Sequence, residues 1–241
     1  MNLEEIRKTL VPEGVLRAGI NMANRLLVSG EMPDGTPFGV SPDVARALAA
    51  KLEVPVRFIK YPNPGGVADG AARGEWDIGN IGAEPERAKT IVFTRAYCEI
   101  EATYLVRPGS PLTSVADVDR PSVTIAVKAR SAYGLWLERN IRYAELVLIP
   151  PTEDVFAVFQ EKNLDALAGL RTGLARDLSR LPGGMVLDGQ FTAVQQAVGT
   201  PIANRDAAEW LDTQVAELIA SGKIAQFIRD HAVEGLSVPA A

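Results

Sequence analysis

The 241-residue chain predicts an α/β fold of two lobes. Three observations carry that expectation. Short apolar strands alternate with helix-length segments in two series, about 15–100 and 122–190, the pattern that yields parallel sheets with crossover helices. Two extended runs, 101–106 and 192–199, follow the first and second series respectively. The strongest helical pattern comes after the second run, so the chain is expected to leave lobe 1 and later return to it. The expected lobes are residues 1–103 with 200–241, and residues 104–199.

The elements follow in order from local pattern. A short polar helix opens the chain, and 15–20 reads as a buried strand. Residues 30–37 hold Pro33, Asp34-Gly35 and Pro37, a turn cluster. Val44, Ala45, Leu48, Ala49 and Leu52 recur at helical spacing over 42–52. Residues 54–59 alternate as a strand, 65–74 form a weak helix, and 76–81 a third strand. The second series repeats this rhythm: strand 124–127, helix 131–141, strand 144–149, helix 153–162 and strand 164–170. Trp210, Leu211, Val215, Leu218 and Ile219 mark an amphipathic helix over 205–221, Gly222 interrupts it, and 223–231 form the last helix. No close internal repeat is visible.

Composition narrows the function classes. Hydrophobic residues make up 47% and charged residues 23%, ordinary globular usage that excludes a disordered or fibrous chain. The net charge of −5 argues against nucleic acid as a partner. The lone Cys98 allows no internal disulfide and no thiolate zinc cluster, and the lone His231 has no ligand partner at motif spacing. His231, near a helix end, is expected as a surface or capping group. No metal and no cofactor are expected, because the chain carries neither a calcium-loop pattern nor a glycine-rich nucleotide motif. Ser131 stands where a strand turns into a helix. Without a neighbouring base it reads as a helix N-cap, and such a cap leaves free N–H groups that suit an anion. No apolar stretch approaches the ~20 residues that span a bilayer. The charged start, Met1 to Lys8, lacks the apolar core of a secretory signal.

The most specific stretch is 76–97, WDIGNIGAEPERAKTIVFTRAY. It runs from Asp77 through small residues to Arg87, then to Phe93, Thr94 and Tyr97. This stretch resembles the solute-binding proteins of ABC uptake systems, family 3, the amino-acid-binding group with the type II periplasmic binding protein fold. Three further segments match that family in order: Phe38-Gly39 with Asp43-Val44-Ala45, Val127 to Ala132, and Leu164-Asp165-Ala166. The resemblance implies two Rossmann-like lobes joined by two hinge strands, closing on a small ligand. It implies that Arg87 grips a ligand carboxylate, for which a planar guanidinium fork is suited. Asn80 and Gly82 take the places of strand-end ligands. Asn21 and Asn24 follow the first strand, where the family often has an acid and an aromatic clamp. They read either as ligand groups or as turn asparagines bonding their own backbone. From lobe 2, Ser131 and Ala132 would offer hydroxyl and N–H groups.

Departures from the family pattern bear on the ligand. The place of the aspartate that pairs an α-ammonium falls on Leu170, followed by Arg171, and Arg130 replaces a loop glycine. If Arg130 or Arg171 faces the ligand, an organic acid is favoured over an ordinary α-amino acid. Solvent-facing arginines are the other reading. The expected function is capture of a small anionic or zwitterionic ligand for an ABC transporter permease, by a monomer that is neither an enzyme nor inserted in a membrane. The alternatives are a cytosolic sensor of the same fold and a cyclohexadienyl-dehydratase-like enzyme. The enzyme reading lacks a carboxylate at Leu170 to Gly173, and a LysR-type regulator would need more than 14 residues for its N-terminal helix-turn-helix. The resemblance implies a periplasmic location. A native start at Met1 without a signal would imply the cytoplasm.

Overall fold

The computed structural model describes residues 2–239. The chain divides into two compact units, one of residues up to Glu99 together with those from Gln195 on, the other Ile100–Val194.

Unit 1 opens with helix α1, Leu3–Leu10. Asn2 and Glu5 cap it reciprocally, and Ile6 and Leu10 are buried. Strand β1 is Leu16–Asn21. The expected turn cluster is the tip of a small hairpin, β2 (Gly30–Glu31) and β3 (Pro37–Phe38). Helix α2, Val40–Lys51, leads to β4, Val56–Tyr61, and helix α3, Pro64–Ala72, leads to β5, Ile78–Gly82. Strand β1 lies parallel between β4 and β5. Helix α2 packs on β1, β4 and β5, and α3 on β1 and β5. Trp76 fills the space beside α3. Its indole donates to the Val67 carbonyl at 2.9 Å and is fully buried. It lies so close to Gly19 and Gly79 that a Cβ on either would stand 2.8–2.9 Å from the ring, which explains glycine on two neighbouring strands.

A 3-10 turn at Arg87–Lys89 precedes β6, Ile91–Val106, which carries the chain out of unit 1 after Glu99. Only 101–106 was read as the crossing. In the structure 91–100 continues the same 16-residue strand. Polar Thr94, Arg95 and Glu99 mask the alternation there, and each bonds to a residue far along the chain: Thr94 to Val198, Arg95 to Asp212 and Glu99 to Ser237.

Unit 2 contains β7 (Thr124–Lys128), α4 (Ala132–Asn140), β8 (Glu145–Ile149), α5 (Val155–Glu161) and β9 (Ala166–Leu170). Strand β7 lies parallel between β8 and β9, and β6 pairs antiparallel with β9. Leu137 belongs to the core on one face of this sheet, Phe156 and Phe159 to that on the other. Helix α6, Arg171–Leu178, follows directly and was not expected. It buries only Leu174, so its apolar signal is too thin to read. The short strand β10, Met185–Val186, pairs with β6. Strand β11, Thr192–Pro201, returns to unit 1 and pairs antiparallel with β5. A 3-10 segment, Ile202–Ala207, precedes helix α7, Ala208–Ala220, so the α-helix begins three residues later than expected. Helix α8, Lys223–Asp230, ends the series after Gly222 in the left-handed conformation.

The two units repeat one topology without repeating sequence. Each places its first strand between the second and third, with an antiparallel strand beyond the third. Each also uses a carboxylate just before the third strand to hold the first. Asp77 accepts from Arg17 N–H at 2.8 Å, and Asp165 accepts from Thr124 N–H at 2.8 Å. The reverse backbone bonds, Asp77 N–H to Arg17 and Asp165 N–H to Thr124, complete both clamps.

Candidate functional site

The carboxyl ends of parallel strands are where open α/β sheets gather ligands, and the sequence-predicted residues fall there. In unit 1 these are the ends of β1 and β5. Strand β5 carries Ile78, Asn80 and Gly82 on one face, and Gly79 and Ile81 on the other, against Trp76. Gly82 stands opposite Gln196 of β11. Its neighbour Ala83 donates its N–H to Gln195 at 2.7 Å, so strand alternation turns the Gly82 N–H to the side away from β11.

Arg87 is buried, 5% exposed, although it lies in the short 3-10 turn after β5. Its Nη1 donates to the Gly82 carbonyl at 2.6 Å. That bond folds the arginine back over the strand end and sets the plane of its guanidinium. Asn80 is 2% exposed, and neither its Oδ1 nor its Nδ2 has a partner in hydrogen-bonding geometry. The fully buried Tyr97 hydroxyl bonds to Ser41 Oγ at 2.8 Å and has the Asn80 amide as a second hydrogen-bonding neighbour. Burial pushes the Tyr97 phenol up, so it stays neutral. Ser41 and Tyr97 were part of the matched segments but were not expected at the site. Only the side-chain contact between α2 and β6, 56 residues apart, reveals them.

Asn21 and Asn24 are turn asparagines. Asn21 Oδ1 accepts from Ala23 N–H and Asn24 Oδ1 from Leu26 N–H, each at 3.2 Å, two residues on. These bonds leave their amide NH2 groups as the atoms a ligand could use.

In unit 2 the corresponding ends are those of β7 and β9. Ser131 is the N-cap of α4: its Oγ accepts from Gly134 N–H at 3.0 Å and donates to the Lys128 carbonyl at 2.7 Å. The hydroxyl is thereby engaged with the backbone, and the first-turn N–H groups of Ala132 and Tyr133 remain the anion-competent part. Gly134 is required by this junction. A Cβ there would stand 2.7 Å from the Lys128 carbonyl and 2.8 Å from Ser131 Oγ. Arg130 is exposed and takes φ +61°, a left-handed conformation. That accounts for the glycine of the family pattern at this place.

Arg171 is engaged within unit 2. Its Nε meets Glu101 at 2.5 Å, Nη1 donates to the Leu187 carbonyl at 3.3 Å, and Nη2 donates to the Gly189 carbonyl. All three nitrogens hold structure, and the Glu101 carboxylate balances the charge. Arg171 therefore adds no excess positive charge for a ligand, which corrects that part of the reading. Arg171 follows β9 directly and opens α6, whereas Arg87 lies five residues beyond the end of β5, and the two arginines have different partners.

His231 also has a structural partner. Its Nε2 lies 2.6 Å from Asp43 Oδ2, and Asp43 in turn holds Arg46 at 2.8 Å. Among the described residues no group of three or more His, Cys, Asp or Glu side chains could hold a metal ion.

The model of the bacterial extracellular solute-binding proteins, family 3, matches residues 21–233. The chain belongs to that family. No curated protein matches it. Among solved structures, this family 3 protein is similar to AbpA, an amino acid ABC transporter substrate-binding protein from Streptococcus pneumoniae bound to L-arginine. The two are 18% identical over 94% of this chain and 99% of that one, with a TM-score of 0.73. A binding component of an ABC transporter from Wolinella succinogenes, complexed with lysine, is 20% identical over 90% and 95% of the two chains, with a TM-score of 0.72. The ancestral amino acid-binding protein AncCDT-1, described as a precursor of cyclohexadienyl dehydratase, is 21% identical over 95% and 98%, with a TM-score of 0.69. These likenesses show the fold of family 3: a mixed α/β chain of two units, like that of the solved amino acid-binding proteins.

Proposed function

We propose that this solute-binding protein captures a small carboxylate-bearing solute, an organic acid or an amino-acid-like compound, and presents it to an ABC uptake transporter outside the cytoplasm. The observation that carries the reading is Arg87: a buried guanidinium folded over the end of β5 by the Gly82 carbonyl at 2.6 Å. A planar cation held in that way is preorganised for two carboxylate oxygens, and little side-chain entropy remains to be lost on binding. The Gly82 N–H, turned away from β11, and the amide groups of Asn21 and Asn24 stand at neighbouring strand ends. The Ala132 N–H, with Arg130 beside it, marks the corresponding end in unit 2.

The proteins of similar fold that carry arginine or lysine support an amino-acid-like ligand. Leu170, at the end of β9, cannot neutralise an ammonium group, which keeps organic acids within the class. Capture rather than turnover fits the groups present. The candidate site residues include no general acid, and the one histidine is bonded to Asp43.

A thermal-shift screen of amino acids, keto acids and dicarboxylates tests the reading, because a ligand that prefers the folded state raises its melting temperature. At least one carboxylate compound is expected to stabilise the native chain and to lose that effect in Arg87→Ala. Stabilisation that persists in Arg87→Ala would reject the assignment.

A further inference from the structure

The two units end their parallel ladders on edges of different character. In unit 1 the edge is β4, with the sequence VRFIKY. Arg57 and Lys60 put charge on it. Lys60 also ties it to the hairpin, donating to Glu31 at 2.6 Å and to the Gly35 carbonyl at 3.1 Å. The Arg46 guanidinium lies over the Phe58 ring, 5.0 Å from its centre. Charge and cover of this kind keep an edge from pairing with another chain. In unit 2 the edge is β8, with the sequence ELVLI. Among the described residues no strand lies beyond it. After Glu145 it is apolar throughout, and Leu148 is 46% exposed.

The backbone sets which groups β8 offers. Glu145 donates its N–H to the Val123 carbonyl and Ile149 accepts from Ala129 N–H, each at 2.8 Å. Alternation therefore turns Glu145, Val147 and Ile149 towards β7, and turns the N–H and C=O groups of Leu146 and Leu148 outward. The outward residues stand symmetrically about Val147. The Leu146 side chain packs on the core that holds Leu137, and Val147 on the core that holds Phe156 and Phe159. Just before the strand, the Asp119 carboxylate accepts the N–H groups of Arg142, Tyr143 and Ala144 at 2.8–3.2 Å. That turn is thereby fixed, and it presents Tyr143, 66% exposed, beside the edge.

We propose that β8 is a docking edge for a second copy of this chain. Two β8 strands pair antiparallel about a two-fold axis through Val147. In that register Leu146 of one copy faces Leu148 of the other, and the two exchange both backbone bonds, twice over by symmetry. The pairing covers Leu148 in both copies. Glu145 falls opposite Ile149, so no like charges meet, and Arg142 falls beside Thr152 and Glu153 of the second copy. This self-complementary register is what selects a second copy over an unrelated strand. Pro150 and Pro151 stop the ladder, because proline has no N–H to give. The guarded β4 stops further growth, so the assembly closes at two. So short a contact belongs to the weak class of interfaces, which makes the dimer concentration-dependent, in place of the monomer expected from the sequence. The proposal is independent of the ligand reading.

Sedimentation velocity of the full chain between about 10 μM and 1 mM, where weak contacts assemble, is expected to pass from monomer towards dimer. Leu148→Lys places a charge at an exposed edge position. It is expected to stay monomeric throughout and to keep the native melting temperature. Val147→Cys reads the register. Position 147 meets its own copy across the axis, at a non-hydrogen-bonded site where Cα atoms come within about 4.5 Å. The native Cys98 is fully buried and does not compete. Mild oxidation with diamide is expected to link Val147→Cys into a covalent dimer several-fold faster than Leu148→Cys. Random collision would give the opposite order, because position 148 is the more exposed. A native chain that remains monomeric over the whole range overturns the proposal, whether or not the edge takes an unrelated strand. So does a dimer that persists in Leu148→Lys, or a link that forms faster at position 148 than at 147.

Discussion

The guanidinium of Arg87 is where the fold meets the proposed recognition of a carboxylate. An arginine inside a protein is sustained by partners that accept its hydrogen bonds, and the Gly82 carbonyl at 2.6 Å supplies one that also fixes its orientation. Removing it from a ligand-bearing site leaves a desolvated carboxylate unpaired, a loss of about 2–5 kcal/mol. That corresponds to affinity weakened by about 30-fold or more. Arg87→Lys is expected to weaken binding as well, because an ammonium cannot reproduce the planar fork. A titration of both variants checks the ordering, native above Lys, and Lys at or above Ala.

The same scale explains which candidates the sequence could rank and which it could not. Arg87 stood out as a candidate because its spacing from Asp77, Phe93, Thr94 and Tyr97 is local. The roles of Asn21 and Asn24 stayed open because an asparagine after a strand serves turn and ligand equally, and only the bonds to Ala23 and Leu26 N–H show the turn. The role of Arg171 stayed open as well, because its partner, Glu101, lies 70 residues away in sequence. No local pattern carries such a pair.

At the scale of elements, two junctions invite measurement. The β7–α4 junction turns on Ser131 and Gly134. In most helices glycine is poorer than alanine by about 1 kcal/mol. Here the added methyl meets a backbone oxygen at 2.7 Å, so Gly134→Ala is expected to destabilise the chain by about 1–3 kcal/mol. Chemical denaturation checks the sign, and a stabilised variant would show that the junction has more room than the structure gives it.

The second junction is acid-sensitive. Arg73 and the Tyr61 hydroxyl bond to Glu75 and hold its carboxyl down from 4.5 to about 2. Ser114 and the neighbouring backbone N–H groups do the same for Asp117, also to about 2. Both groups are more acidic folded than unfolded. The stability they contribute is therefore present above about pH 4.5 and is lost as pH falls towards 2. Urea midpoints across that window should fall with pH, and Glu75→Gln should make the decline shallower. An unchanged slope would contradict the assignment.

At the scale of the whole molecule, alternation of strands and helices was enough to read two α/β series and the order of nearly all their elements. It missed α6, which buries one leucine, and the first part of β6, whose polar residues hide a strand. It also could not show that the two series share one topology, because the shared features are register and paired carboxylates rather than repeated residues. In each unit the first strand is flanked by two parallel neighbours, β4 and β5 around β1, β8 and β9 around β7. Hydrogen exchange is accordingly expected to be slowest in β1 and β7 and faster in β4 and β8, as protection follows the most enclosed ladders. The reverse order would contradict this account of the sheets.

The central claim is that Arg87 anchors the carboxylate of a small solute. The most direct test is a calorimetric titration of the native chain and of Arg87→Ala with the compound that most raises the native melting temperature. The account predicts one saturable site in the native chain and at least a 30-fold loss in the variant. Equal dissociation constants in the two proteins would contradict it.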